Sequence, residues 1–367
     1  MRILQIDNSL GMGGAEKLLL DTVPLYRKAG IEMDVLLLWD DDLPFADELR
    51  KLNCCNVFVL RKSKNDKDVY NPTFIFKMRK FLKNYDIAHL HVFPSQYYAV
   101  FANLLNGSNT KLILTEHNTT NGRMSKKIFK PLERFIYSKY EKVICITEEI
   151  NILYQNYLGL SDQLITINNG VDTNKIFNTL PYKKSDLGYT EEDRLLIMVA
   201  RFNKQKDQDT FIKSLLNLPE NYKLLLVGDG ERRIDLEKLV NTLDLSARVR
   251  FLGIRSDVYS LYKMSDIAVL SSHWEGFGLA AVEAMACGLP TIASNVDGLA
   301  QIVNDAGILF EPGASKQLAE IILSLENTKA YNNTADKCLE RSKEYDIMKM
   351  VNKHIGLYHS VMENNNM

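Results

Sequence analysis

Two carboxylates stand eight positions apart in the run SSHWEGFGLAAVEAMACGLP, residues 271–290: Glu275 in a polar turn, and Glu283 on a helix expected over residues 279–286. Gly276 and Gly278 flank Phe277 between them, and glycine there lets a ligand come close to the main chain of Phe277 and Leu279. The unpaired N–H groups and partial positive charge of a helix start suit phosphate or another anion. Gly288 and Pro290 end the helix. Main-chain donors near phosphates and acids near hydroxyls describe a site for a nucleotide sugar. The plainer alternative is a solvated glutamate on an ordinary strand–turn–helix unit.

Other candidates also follow short apolar runs. Arg201 and Lys206, in ARFNKQKD, offer a forked donor and a point charge, a pairing that suits diphosphate. Fixed cations stabilise the charge that develops on a departing nucleoside diphosphate; the alternative is a solvated lysine-rich loop. His117, in TEHN, can exchange hydrogen bonds with a sugar hydroxyl or act as acid or base near neutral pH, or else bond nearby backbone. Gly11, Gly13 and Gly14 in NSLGMGGAE permit close approach of a phosphate to the next helix. They are not the dinucleotide fingerprint, whose third glycine would fall on Glu16. Gly228, in VGDG, is a further glycine turn, expected near a base or ribose, and Asp257 is expected near the helix of Glu283 with no role assigned. The acidic triplets at 40–42 and 207–209 resemble the metal-holding DxD of single-domain sugar transferases. A two-domain layout weighs against that class, so they read as solvated loop and helix-start acids. No metal ligand is nominated.

The elements that must position these residues follow from the pattern. At 367 residues, 46% hydrophobic and 25% charged, the chain is expected to hold two ordinary soluble domains. A net charge of -1 gives no global field toward nucleic acid or a bilayer, and no nucleic-acid partner is expected. No run reaches the length of a membrane span, and the N-terminus lacks the apolar run of a signal peptide. Five cysteines without a CxxC pair fit a reducing, cytoplasmic setting. Short apolar runs at 2–6, 34–38, 56–60, 87–91, 111–115, 142–146 and 164–167 alternate with helical periodicity. A second series lies at 195–200, 223–228, 249–252, 267–271, 291–293 and 307–310. Runs of this kind are strands buried on both faces of a parallel sheet. The expected class is α/β, two Rossmann-like doubly wound domains facing a central cleft. The domains are placed at 1–178 and 194–346, with a linker at 179–193 and a final helix at 347–367. Arg123, Lys126, Lys127, Lys130, Arg134, Lys139 and Lys142, with Phe129, Phe135 and Tyr137 among them, could rest on an anionic membrane surface, or form a solvated helix face.

Together these residues resemble the retaining glycosyltransferases of family 4, which have the two-domain GT-B fold. The resemblance covers nearly the whole chain, and its most specific part is the pair Glu275 and Glu283 within EGFGLAAVEAMACGLP. GMGGAE, TEHN, INNGVD, ARFNKQKD, VGDG and AGILFEPG support it in order along the chain. The resemblance implies that Arg201 and Lys206 bind the donor diphosphate, Glu283 the ribose, and Glu275 with the backbone of residues 277–279 the donor sugar. Gly13 and Gly14 would approach the phosphates, and His117 would lie against the sugar. It further implies domain closure over the donor, no metal or other cofactor, a last helix crossing back to the first domain, and front-face attack with no side-chain nucleophile. The implied partners are a nucleoside-diphosphate sugar donor and a glycan or lipid-linked glycan acceptor in cell-surface polysaccharide synthesis, at or near the inner face of the plasma membrane. Either a UDP- or a GDP-linked donor fits. An epimerase or hydrolase on the same fold, or a catalytically silent nucleotide-sugar-binding module, is the alternative; a nicotinamide-dependent oxidoreductase is disfavoured at Glu16. The chain departs from the family where Asp297 replaces a glycine, where Gln301 stands in place of an acid, and where Ser271-Ser272 lacks a preceding proline.

Overall fold

A computed structural model describes residues 1–11, 13–117 and 123–363. It divides into two units, Met1–Gly170 with the segment from Ile347, and Val171–Asp346. Among the described residues, unit 1 carries a seven-stranded sheet of β1 (Arg2–Asp7), β2 (Glu32–Leu37), β3 (Val57–Val59), β4 (Ile87–Leu90), β5 (Lys111–Glu116), β6 (Lys142–Cys145) and β7 (Leu164–Thr166). All pairs are parallel, in the order β3-β2-β1-β4-β5-β6-β7. Unit 2 carries β8 (Arg194–Val199), β9 (Tyr222–Val227), β10 (Val249–Gly253), β11 (Ile267–Leu270), β12 (Thr291–Ser294) and β13 (Ile308–Phe310), in the order β10-β9-β8-β11-β12-β13. The central strands β4 and β11 are buried along their whole length, as expected when helices cover both faces. Strand order reverses between β1 and β4 in unit 1 and between β8 and β11 in unit 2. Crevices at the carboxyl ends of such strands are where open α/β sheets take ligands.

The last helix, Ile347–Glu363, returns to unit 1. Its buried residues Ile347, Met350, Val351, His354, Leu357, Tyr358 and Val361 form one helical stripe. The apolar members join a core with Leu18, Leu19, Val23 and Tyr26 of the helix Gly14–Lys28. The stripe also brings polar groups inside. Tyr358 Oη lies 2.7 Å from His89 Nδ1, and His89 Nε2 lies 2.7 Å from Thr115 Oγ1. His354 Nδ1 meets Tyr26 Oη, and burial lowers the His354 pKa to about 3.

The unit boundary falls before residue 178, where the sequence pattern placed it. Val171 forms a parallel bridge with Asp346, and Asp172 caps the short helix Thr173–Asn178 by accepting from Lys175 N at 2.8 Å. Both residues therefore go with unit 2. The stretch at 179–193, expected to be a linker, is bound to unit 2 as well. Lys263 Nζ donates to Thr179 O at 2.8 Å, Lys184 Nζ pairs with Asp266 at 2.9 Å, and Arg250 Nη1 donates to Leu187 O at 2.6 Å. Polar bonds hold this stretch where an apolar face would hold a helix, so hydrophobic periodicity has nothing to report there.

Two outcomes follow from this packing. A Cβ at Gly228, where φ is +132°, would fall 2.0 Å from Ala200 O. Gly228→Ala is expected to cost about 3 kcal/mol by strain and overpacking, read in calorimetry as a melting transition of unit 2 lower by roughly 6–12 °C. His354 is expected to titrate normally, near 6.5, in the unfolded chain and near 3 in the folded one. A depressed histidine gives stability that is complete above the unfolded pKa and lost as pH falls through that window. Between pH 7.5 and 5 the wild type should therefore lose about 2 kcal/mol more than His354→Phe does, as measured by denaturant titration at both pH values.

Candidate functional site

The loops after β8 and β11 leave neighbouring strands at the reversal point, and side chains bind them to each other. Ser271 Oγ donates to Asp207 O at 2.8 Å and Lys206 O at 3.2 Å. His273 N donates to Gln205 O at 2.7 Å, and Gln205 Nε2 to Trp274 O at 2.8 Å. Within the first loop, Lys206 N bonds Asn203 Oδ1 at 3.1 Å and Gln208 Nε2 bonds Arg201 O at 3.0 Å. Asp207 then turns the chain at φ +47° and caps the helix Gln208–Ser214. His273 Nε2 approaches the same carboxylate at 3.4 Å.

This framework brings Lys206 Nζ into contact with Glu275 Oε1. Ser272 Oγ donates to that same oxygen at 2.8 Å. Glu275 is 6% exposed, and a carboxylate so buried is stable as an ion only when paired and hydrogen-bonded. From beneath, Gly298 supports it: a Cβ there would fall 2.5 Å from Glu275 O. Gly298 is thus the glycine this turn requires, whereas Asp297 beside it is exposed and tolerated. The side chain of Arg201 remains 73% exposed, its ion pair with Glu231 a loose 3.8 Å.

Gly276 follows Glu275, and Gly278, at φ +86°, precedes the helix Leu279–Ala286. The Phe277 ring is buried edge-on against Tyr345, so of Phe277 only the backbone is left for a ligand. Glu283 lies one face along the helix, with Tyr259 Oη donating to its Oε1 at 3.2 Å. Lys206, Glu275, residues 276–279 and Glu283 therefore share one end of unit 2.

Other candidates are engaged in contacts within the fold. Gly228 and Gly230 face the backbone of Ala200 and Phe202, so the VGDG turn is shaped by packing against the Arg201 loop. Arg255 at 2.5 Å and Tyr182 at 2.5 Å take the Asp257 carboxylate and hold its pKa down to about 2. In the acidic triplets, Asp40 pairs with Arg50, Asp42 with Lys62 at 2.8 Å, and Asp209 with Arg232. Both triplets are thus engaged in local pairs; the reading of solvated acids fits exposed Asp41 and Asp42, while Asp40 and Asp207 are buried. Ser271, Ser272, Asn203 and Gln205 have no signal of their own in the sequence beyond lying at strand ends. Only their cross-loop bonds reveal them.

In unit 1, His117 follows β5, and its Nε2 lies 3.3 Å from His91 Nδ1. Burial lowers its pKa to about 4, so it is neutral at physiological pH. Asn118 of the TEHN run lies outside the described residues, as does Met12 of the glycine loop. Gly13 precedes the helix Gly14–Lys28, and the Glu16 carboxylate folds back on it: a Cβ at Gly13 would fall 2.1 Å from Glu16 Oε2. Burial raises the neighbouring Asp7 well above the usual carboxylate range, and Glu16 adds to the shift. A phosphate reaching Gly13 and Gly14 would have to displace the Glu16 carboxylate.

The chain is similar to known proteins. The family model "Glycosyltransferase Family 4" matches residues 12–175, and "Glycosyl transferases group 1" matches residues 182–345. The chain is 30% identical to the UDP-Gal:alpha-D-GlcNAc-diphosphoundecaprenol alpha-1,3-galactosyltransferase of Escherichia coli, across 91% of this chain and 90% of that protein. It is 28% identical to the N-acetyl-alpha-D-glucosaminyl L-malate synthase of Bacillus anthracis, across 76% of each. Among solved structures, Anabaena HepE in complex with UDP and glucose superposes with a TM-score of 0.85 at 24% identity, over 98% of this chain and 99% of that one. That likeness establishes the architecture as GT-B, two Rossmann-like α/β domains. With one family model on each half and a relative 30% identical over nine-tenths of its length, the chain belongs to the family 4 glycosyltransferases.

Proposed function

We propose that the chain transfers a hexose or N-acetylhexosamine from a UDP-linked donor to a hydroxyl of a lipid-linked glycan, with retention of configuration. The observation that carries this is the contact of Lys206 with Glu275 beside Ser272. Both bonds fall on Oε1, which leaves Oε2 to accept from a donor-sugar hydroxyl. An ammonium has three hydrogens, so Lys206 can hold Glu275 and still donate to diphosphate oxygens. Arg201, long and exposed, supplies the second cation. Together they would neutralise the leaving diphosphate without a metal ion. The backbone of Gly276, Phe277, Gly278 and Leu279 adds donors at a helix start, and Glu283 would take the ribose. Gly13 and Gly14 are proposed to reach the phosphates once Glu16 swings aside, and neutral His117 to meet the sugar. Glu275, held by two donors on one oxygen and turned to a sugar hydroxyl with the other, is given no nucleophilic role. Front-face attack, with a phosphate oxygen taking the acceptor proton, fits that arrangement. The UDP donor is proposed from the Escherichia coli relative.

Two relatives differ in acceptor, one lipid-linked and one L-malate by name. The surface of unit 1 favours a lipid-carried acceptor. The segment Lys127–Phe129 and the helix Lys130–Tyr137 expose Ile128 at 83%, Phe135 at 42% and Leu132 at 41%, among exposed Lys126, Lys127, Lys130, Arg134 and Lys139. Arg123 and Tyr137 leave this face: Arg123 Nε pairs with buried Glu133 at 2.6 Å, and Tyr137 is buried against Glu116. Apolar side chains among cations on one surface match an anionic bilayer, and the enzyme is proposed to act from the cytoplasmic side, peripherally on the inner membrane face. Among the described residues no helix is long and apolar enough to cross a membrane.

UDP-galactose, UDP-N-acetylglucosamine, UDP-glucose and GDP-mannose, each incubated with N-acetylglucosamine-diphosphoundecaprenol, test the assignment. One UDP-sugar is expected to give an α-linked product, unchanged by EDTA, with Lys206→Ala and Glu275→Ala lowering kcat/KM by roughly 10²–10³. Donor consumed at the same rate without acceptor would point instead to a hydrolase or epimerase. In flotation assays the protein should bind phosphatidylglycerol vesicles over phosphatidylcholine ones, and Ile128→Asp with Leu132→Asp should weaken that binding by roughly tenfold or more.

A further inference from the structure

A row of hydrogen bonds inside unit 1 ends on His117 and determines which of its nitrogens carries the hydrogen. It begins at Gln5 on β1, whose side chain is buried. Gln5 Nε2 lies 3.6 Å from Met33 Sδ and 3.3 Å from Tyr358 Oη. A thioether sulfur can only accept, so the end of the amide facing it is the NH2 group. The carbonyl oxygen then points the other way, to His91 Nε2 at 2.7 Å. An amide oxygen can only accept, so His91 carries its hydrogen on Nε2. His91 is neutral, because it is half-buried and stacked on His89 with ring centroids 4.6 Å apart, and both desolvation and the nearby histidines oppose a charge. A neutral imidazole protonated at Nε2 has a bare Nδ1, and that atom faces His117 Nε2 at 3.3 Å. Two bare nitrogens would oppose their lone pairs, so the hydrogen between the rings belongs to His117 Nε2. His117 is itself neutral, which leaves its Nδ1 as an acceptor.

We propose that Gln5 and His91 are positioning residues that hold His117 as the Nε2–H tautomer, so that Nδ1 accepts a hydrogen bond from a carbohydrate hydroxyl. This rests on the placement of His117 at the sugar given above, and it adds a direction to that contact. His117 takes a hydrogen from its ligand and gives none to a phosphate oxygen. The C-terminal helix takes part, since Tyr358 receives the Gln5 amide and lies against His89. The row thus runs from the last helix through β1 and β4 to the end of β5.

The full chain with 15N-labelled histidine tests the inference by long-range 1H–15N correlation at pH 7. His117 is assigned from the signals lost in His117→Gln. The wild type is expected as the Nε2–H tautomer. His91→Phe removes the acceptor and should give a mixture of tautomers. His91→Asn, whose side-chain oxygen can take the place of Nδ1, should restore the single form. With UDP-galactose and N-acetylglucosamine-diphosphoundecaprenol, His91→Phe should lower kcat by roughly 10- to 100-fold while KM for UDP-galactose stays within about twofold, and His91→Asn should recover turnover. An Nδ1–H tautomer in the wild type overturns the inference whatever the turnover, and so does an unchanged tautomer in His91→Phe. If that variant does not fold, the wild-type spectrum decides alone. An Nε2–H tautomer in a protein whose His117→Gln variant keeps wild-type turnover overturns the placement of His117 at the sugar instead.

Discussion

The contact between Lys206 and Glu275 is the constraint that unit 2 is arranged around. Strand order reverses between β8 and β11, so the loops that follow these strands leave adjacent positions and diverge. A carboxylate buried between them must be neutralised, and the ammonium of the other loop does so. A buried pair of this kind is weak evidence for stability, because desolvation offsets much of its attraction. Its effect is geometric. The serines at 271 and 272, the Gln205 bridge and the cradle at Gly298 all bring the two loops to the separation that this pair needs. For the proposed ligand, with phosphate at one end and hydroxyls at the other, a cation and an acid would already be in place, with little ordering left to do on binding.

Unit 1 solves a related problem with neutral groups. Its reversal point lies between β1 and β4, and His91 and His117 follow β4 and β5. Packed together with His89 and His354, these rings cannot all carry charge, so burial keeps them neutral and they connect as donors and acceptors. The helix from Ile347 closes this interior, its apolar stripe packing on the helix Gly14–Lys28 while Tyr358 and His354 enter the polar row. The glycine loop differs in kind, because Glu16 occupies the helix start where an anion would bind. Cations thus stand at the candidate site of unit 2, and neutral imidazoles with acids at that of unit 1.

Much of this was legible in the sequence, for a definite reason. Parallel strands buried on both faces must be continuous apolar runs, and a strand's end must be followed by a loop, so the thirteen strands among the described residues and the positions of Arg201, Lys206, His117 and Glu275 could be read from local composition. The helix Leu279–Ala286 was equally plain, bounded by Gly278 and Gly288 in left-handed conformations. Local pattern failed where polar bonds replace apolar faces. Residues 179–193 look like a linker and are bound to unit 2 by Lys184, Lys263 and Arg250. Asp40 looks like a solvated acid and lies buried against Arg50.

The sequence by itself determined the two doubly wound sheets, the family, and which residue types stand at the strand ends, because these depend on spacing along the chain. Tertiary structure alone decided which of those residues meet. Lys206 and Glu275 are separated by 69 positions, Gln5 and Tyr358 by 353. That a glycine such as Gly228 lies against a neighbouring carbonyl is likewise visible only from what lies across from it. Contacts of this range are set by strand order and helix docking, which hydrophobic periodicity, a property of a dozen neighbouring residues, does not encode.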